Sequence, residues 1–515
     1  MRVRRLLWLA ILFASLDAAA QSTFDCAAPA APSTAGAVVL GNGSSGSVSG
    51  AQLQAALNAG GVIRLNIGTS TLTLTQELSI TRETVLDAGG ATLSGANAVR
   101  VLRVSNPGNL TYTFSLLNAV VINGSTPTGS GAGLYKATGG PWQAVTIRIF
   151  HSRFAGNQAI TTAQDDGGGA IYVVGAQEIA LVNTVLENNR GANGGGLYSL
   201  GSRRVNLFDS RLSGNSATGT GGNPGNGGNA GAIGVDGADR YVNLCRVALI
   251  DNTANAYGAG LFTTVYDTTS FTRIENSTLQ GNNSTGSSNA HTGGAYIQGG
   301  PVAIRGSTFR ANQAAGYGGL SLFDHQTGNG LVRTSGDITN CTFQGNIART
   351  GLGGAMNITA TGNLLLQNLT IANNRALCDV CFAGGISNAA GLPITLRNSV
   401  FLDNTGGNAF NPWALLNPVS GSNNLQWPQV RPNSFGQTEN PVTPGAIFAD
   451  ALLSPPAMNG GLTETMALPA ASPAINAGTA TGAPATDQRG VGRVGAVDAG
   501  AYEFQGDIIF RNGFQ

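Results

Sequence analysis

A six-residue pattern recurs nine times between Ile147 and Asn404 and limits what this chain can fold into. It reads small polar residue, any residue, large apolar residue, two turn-prone residues, Asn. The copies end at Asn157, Asn189, Asn215, Asn252, Asn282, Asn312, Asn346, Asn374 and Asn404, at intervals of 26 to 37 residues. The residue three before each Asn is always apolar, from Phe154 and Leu186 to Phe401. A glycine step follows at a variable distance, as at Gly168-Gly169, Gly293-Gly294 and Gly353-Gly354, and an apolar residue or Ala comes next. Self-similarity at this period signals a solenoid, in which each repeat buries its apolar face only against its neighbours.

The repeat has strand periodicity. Ile147-x-Ile149, Ile179-x-Leu181, Val205-x-Leu207, Val302-x-Ile304 and Ile394-x-Leu396 alternate with period 2 and are bounded by Gly and Asn. With about three such runs in each repeat, a repeat reads as one coil of a parallel β-helix. The Ser of Ser277-Thr278-Leu279 lies two before the apolar residue and shares its inward face. Ser152, Thr184, Ser210, Ser277, Ser307 and Ser399 are therefore expected to stack inside, with Cys341 in the same column. Coils spaced ~4.8 Å apart let each Asn amide donate to the next, giving an interior ladder. Asn also tolerates the left-handed conformation of a sharp turn, so the ladder residue is expected to make the bend itself. The other reading of the same column is a row of ligand-binding amides.

The coil length, the Asn turn and the Gly-Gly strand entry resemble the right-handed β-helix of the pectate-lyase-like superfamily. That resemblance implies an all-β, right-handed, single-stranded parallel β-helix solenoid, a hand that also follows the rule for parallel crossovers. It further implies an amphipathic cap over the open N-terminal end. Ala51–Asn58 is the best helical stretch of the chain, with Ser49 placed to cap it and Gly60-Gly61 to stop it.

The boundaries read as a signal segment at 1–20, a loose lead-in and cap at 21–61, the β-helix at 62–410, a C-terminal domain at 411–505 and a tail at 506–515. Arg2, Arg4 and Arg5 precede the apolar run Leu6–Leu16, and Ala18-Ala19-Ala20 supplies small residues for cleavage. No second apolar stretch reaches membrane-spanning length, so no transmembrane segment is expected in the mature chain. Only 10% of residues are charged and the net charge is +1, which argues against nucleic acid as a partner. Of five cysteines, Cys378 and Cys381 lie in one loop and are expected to pair, while Cys341 is expected to stay a buried thiol.

After Asn404 the period ends and proline accumulates, from Pro412 to Pro456. Asp450-Ala-Leu-Leu-Ser-Pro, Asn459-Gly460-Gly461, Ser472-Pro473-Ala474-Ile475-Asn476-Ala477-Gly478, Asp487-Gln488-Arg489-Gly490, Arg493 and Asp498-Ala499-Gly500-Ala501-Tyr502-Glu503 follow in order. This series resembles the choice-of-anchor Q domain of bacterial surface β-helix proteins. It departs from the pattern at Asn476, where Asp is usual, and at Ala499, where Ile is usual. The resemblance implies surface display. Asp487 and Arg489, with Asp498, Tyr502 and Glu503, read as residues that lock an irregular cap on the last coils; a catalytic role is the alternative.

For chemistry, the repeat region offers one adjacent acid pair, Asp165-Asp166, which reads as a solvated loop tip. Asp209, Asp236, Asp251, Asp324, Asp337 and Asp403 share no column, and His151, His291 and His325 are dispersed. No catalytic residue, metal site or cofactor is expected. Two functional readings stay open. One is an exported, non-enzymatic surface protein that binds a glycan or a receptor on a host or neighbouring cell. The other is a polysaccharide lyase or glycoside hydrolase built on the β-helix.

Overall fold

Alternation in Val145–Phe150 turns Val145, Ile147 and Ile149 inward; Ile147 and Ile149 pair in parallel with their counterparts in the coils on either side, and Val145 pairs with Tyr112 of the preceding coil. The computed structural model describes residues 26–506 apart from 137, 141, 162, 223, 224, 239, 289, 290 and 433. The expected signal segment and tail residues 507–515 lie outside the described residues. The β-helix is made of three parallel sheets, with 26, 10 and 11 strands. The first sheet is bent. Its two rows, typified by Val145–Phe150 and Arg153–Ala155, run together in the continuous strands Thr334–Gln344 and Leu364–Ala372. The second sheet consists of two-residue strands such as Gln158–Ala159, and the third of strands such as Ile171–Val174.

Left-handed residues bend each coil at two recurring positions beside the first sheet. The first stands between the rows of the first sheet, at His151, Asn183, Asn276, Asn340 and Asn398 among others. The inward Ser column follows it, and Ser152, Thr184, Ser210, Ser277, Ser307, Cys341 and Ser399 are all buried as expected. The second bend is held by Gly156, Asn188, Gly214, Asp251, Gly281, Ala311, Gly345, Asn373 and Asp403. This corrects the expectation that the ladder Asn makes the bend. The left-handed residue stands one position earlier, which frees the next side chain to point into the core. There Asn157 Nδ2 donates to Asn189 Oδ1 at 2.9 Å, and the contact repeats without a break through Asn374 to Asn404. Each ladder amide also donates to a backbone carbonyl of the preceding coil, as Asn312 does to Leu279 O at 2.8 Å. All nine are buried.

The N-terminal cap is the helix α1, Gly50–Ala59, with a capping box between Ser49 and Gln52. Leu53 and Leu57 are fully buried over the first coil, and Gln54 exchanges two hydrogen bonds with the backbone of Ser79. The lead-in is not loose. Val38–Leu40 pairs in parallel with Gly61–Leu65, and Cys26 is bonded to Cys245. Residues 26–37 therefore run along the rod as a strap. Cys26 and Ala28 pack on an outward apolar column of Leu117, Phe150, Val182, Phe208 and Cys245. Period-seeking misses this segment because a strap crossing the coils has no repeat of its own.

At the other end, parallel pairing continues past the expected boundary at 410, through Ser420–Ser422, Leu425–Trp427 and Ile447–Phe448. The prolines there lie between these short strands, where no ladder N–H is needed. Residues 456–504 then form a second strap. It does not stop at the last coils but reaches back along the flank to Gly306 and Thr308.

Candidate functional site

The third sheet ends in a sharp corner before the next coil begins. Gly175, Gly201 and Gly237 occupy this corner in successive coils, all with positive φ. Glycine is required there for space as well as conformation. A Cβ at Gly175 would stand 2.6 Å from Trp142 Cε3, and one at Gly201 would stand 2.2 Å from Trp142 Cζ2. The six-membered ring of Trp142 thus spans two glycines and packs on bare backbone. Even so, Trp142 is 62% exposed, which leaves the indole open on its outer side.

Beside it is an open cleft of about 450 Å³, lined by Trp142, Gln164, Asp165, Asp236, Gly237 and Tyr266, with Leu200, Gly201 and Ala238. Tyr266 is also well exposed, and His325 meets its ring edge-on at a centroid distance of 4.6 Å. His325 is itself held by Val265 O, 2.6 Å from Nδ1, at the base of the hairpin His325–Thr327 and Gly330–Val332. Aromatic surfaces and polar groups lining one cleft suit a ligand that has both apolar faces and hydroxyl edges.

Beneath the cleft is a polar cluster. Burial raises the pKa of the Asp236 carboxyl; Arg240 opposes that shift and Asp165 adds to it. Tyr266 donates a hydrogen bond to Asp236, and its own pKa is raised, chiefly by burial. The Arg240 guanidinium is fully buried, which lowers its pKa to about 10. A Cβ at Gly237 would stand 2.5 Å from Arg240 Nη2, so the guanidinium lies directly under the glycine floor. The Tyr198 ring folds over Gly234, and burial together with Asp236 and Asp165 holds its hydroxyl well above the usual phenol range. Neither the Tyr198 hydroxyl nor any Arg240 guanidinium nitrogen has a hydrogen-bond partner among the described residues.

Of the acid pair read as a solvated loop tip, Asp165 is exposed on its turn and Asp166 is half-buried. Asp166 accepts from Ser130 Oγ at 3.1 Å and Thr161 Oγ1 at 2.7 Å, so it anchors its loop, while Asp165 lines the cleft. Asp236, expected to stand apart, joins Asp165 in that cleft. The cleft residues come from different coils whose lengths differ, so sequence spacing conceals their proximity. Trp142 and Tyr266 carried no signal beyond being aromatics near glycine-rich turns.

The C-terminal motif residues form a separate network. Asp487 accepts from the amides of Arg489, Val491 and Glu503 and pairs with the Arg489 guanidinium at 2.7 Å. Arg489 lies over the Tyr502 ring, 3.7 Å from its centroid, and donates to Glu503 O. Glu503 accepts from Arg493 at 2.6 Å and from two backbone amides, and Asp498 accepts from the amides of Asn476 and Phe504. These contacts close the strap on itself and leave its acids occupied with structural bonds. Cys378 and Cys381 form a disulfide in their loop, and Cys341 is free, buried and raised to about 12 by burial. No helix among the described residues is long and apolar enough to cross a membrane.

No family model matches this chain, and no curated protein matches it either. Among solved structures, the A-module of mannuronan C-5 epimerase AlgE6 from Azotobacter vinelandii is similar over 76% of this chain and 98% of its own, at 13% identity and a TM-score of 0.34. Pectate lyase Pel9A is similar over 91% of this chain and 95% of its own, at 14% identity and the same TM-score of 0.34.

Proposed function

We propose that this is an exported surface protein that binds a glycan in the cleft between Trp142 and Tyr266. The observation that carries the reading is Trp142: a large aromatic laid over two glycines and left 62% exposed beside carboxylates. Sugar rings present apolar C–H faces to such a surface and hydroxyls to the polar groups around it. The order of residues from Asp450 to Glu503 supports surface display of the choice-of-anchor Q kind, and two disulfides suit an oxidising compartment. The test is affinity electrophoresis of the purified protein through gels containing polysaccharides. Retardation is expected for the wild type and should fall about tenfold in apparent affinity for Trp142→Ala. Equal retardation of both proteins would remove the cleft from this role.

One observation favours a second reading, that of a glycan-cleaving enzyme. Asp165 and Asp236 line one cleft, and burial makes Asp236 hold its proton more tightly than an ordinary carboxyl. A reducing-sugar and unsaturated-product assay over the same polysaccharides tests it. Product formation that is lost in Asp236→Asn would make catalysis the better account.

A further inference from the structure

We infer that an apolar ridge at the C-terminal end of the rod is the contact between two copies of this chain. Three loops meet there. Residues 377–381 adjoin 407–410 through hydrogen bonds from Gly407 N to Ala376 O and from Asn408 N to Cys381 O. Arg431, at the base of the hairpin 430–438, donates to Ala409 O and Phe410 O, and Phe410 stacks on Phe435 at a centroid distance of 6.4 Å. The loops thus form a row with Val380 at one end, Phe410 in the middle and Phe435 at the other. Phe435 is 93% exposed, Val380 75% and Phe410 64%, and Leu377 is exposed beside them. Together these four side chains leave roughly 500 Å² of apolar surface in water, near the upper limit for a monomer.

Nothing in the fold requires an aromatic at Phe435. Gln437 N donates to Ser434 O, and Phe435 and Gly436 between them both have positive φ. Such a type I′ turn favours Asn-Gly, and a bulky aromatic at its first central position is disfavoured in conformation as well as unburied. The base beneath is rigid. Arg431 and Glu439 form a buried ion pair at 3.0 Å, Glu439 also accepts from the amides of Trp413 and Ala414, and the Cys378–Cys381 disulfide closes the first loop. A pre-formed apolar ridge loses little freedom on docking.

The row is complementary to itself. A two-fold axis through Phe410 lays Phe435 of one copy on Val380 of the other, and the reverse. The contact removes roughly 1,000 Å² in total, the size of a weak, reversible dimer. Residues 377–381, 407–410 and 430–439 carry three charges: Arg431 and Glu439 are paired and buried, and Asp379 is exposed beside Val380. The two-fold keeps the two Asp379 side chains at opposite ends of the contact. An anionic membrane surface would instead meet that acid with no exposed Lys or Arg in these loops to attract it.

Sedimentation velocity of the purified full chain from about 1 to 200 μM tests the assignment. The expected result is a monomer–dimer equilibrium. Phe435→Asn gives the turn its preferred residue, so it should melt at or above the wild-type temperature while weakening the dimer at least about tenfold. Phe410→Ser should weaken it by a similar factor. A chain that stays monomeric throughout, or a dimer equally strong in Phe435→Asn, would overturn the proposal. So would a monomeric wild type that floats with phosphatidylcholine–phosphatidylglycerol vesicles when Phe435→Asn does not, since that result assigns the ridge to a lipid surface.

Discussion

The two flanks of the rod are covered by straps that share apolar burial but are tied down differently. On the N-terminal half, residues 26–37 lie on Leu117, Phe150, Val182 and Phe208 and end in the Cys26–Cys245 disulfide. The outward column that carries this strap changes character just beyond it: Cys245 is followed by Glu275 and Arg305 in register. On the C-terminal half, the second strap combines a buried apolar cluster, in which Met466, Leu468 and Ala499 pack on Val400, Leu402 and Leu425, with an array of side-chain hydrogen bonds that the first strap lacks. The bend residues Asn340, Asn368, Asn398 and Asn423 donate to its backbone, and Thr308, Thr342 and Thr370 meet it from the second row of the first sheet. At equivalent positions in the N-terminal half that row carries Arg153, Val185, Arg211 and Ala248. The same left-handed Asn that bends a coil thus serves a second purpose where a strap crosses it. A solenoid flank can therefore be closed by apolar burial plus a covalent tie, or by apolar burial plus a polar lattice, and the two should fail under different stresses.

The polar strap should fail hardest on loss of a buried charge. Glu503→Ala leaves the buried Arg493 guanidinium and two backbone amides without their acceptor. The expected cost is ~3–5 kcal/mol, because an uncompensated buried charge remains. Hydrogen exchange should rise across 456–504 while residues 26–40 keep their protection. If protection falls equally in both segments, the straps are one cooperative unit and the contrast drawn here collapses.

The apolar strap should respond to its tie. Cys26→Ser is expected to cost ~2–4 kcal/mol and to raise exchange in 26–37 only. Apolar burial remains in that variant, so the strap should loosen without exposing the ladder. An unchanged melting temperature in that variant would show that the apolar column of Leu117, Phe150, Val182 and Phe208 holds the strap unaided.

Beneath both straps the Asn ladder is continuous, and this gives an internal control. Asn189→Leu and Asn346→Leu should each cost ~1–3 kcal/mol, since each leaves neighbouring amides and carbonyls short of a partner. Similar losses in thermal melts would place the difference between the halves in the straps alone. A much larger loss at Asn346 would mean that the C-terminal strap depends on the coil beneath it.

These differences were unequally legible in the sequence. The ladder and the Ser column could be read because every coil repeats them at one inward position. The bend before the ladder could not, because Gly, Asn, Asp and Ala share that slot and only φ unites them. Neither strap has a period, so residues 26–37 read as a loose lead-in and the reach of residues 456–504 was underestimated. The cleft is a product of the fold: Trp142, Asp165, Asp236 and Tyr266 meet only because coils of unequal length bring their corners into one line.

The smallest expected difference is a pH slope confined to the polar strap. Asp498 is buried, and burial raises its carboxyl above the ordinary 3.8. The amides of Asn476 and Phe504 and the charge of Arg493 oppose that shift, while Glu503 adds to it. A carboxyl with a raised folded pKa holds its proton more tightly in the native state than in the unfolded chain. Its contribution is therefore full below the unfolded pKa and is lost as pH rises through the folded one. As pH falls from the folded pKa towards the unfolded one, protection factors in 472–504, corrected for intrinsic exchange, should rise. The N-terminal strap should show no matching trend, since its nearest charged contact is Arg246, paired with Asp209 and donating to Cys26 O. Asp498→Asn should flatten the slope. Falling protection factors in 472–504 on acidification would instead mean that the two backbone hydrogen bonds to Asp498, which favour its ionised form, outweigh its burial.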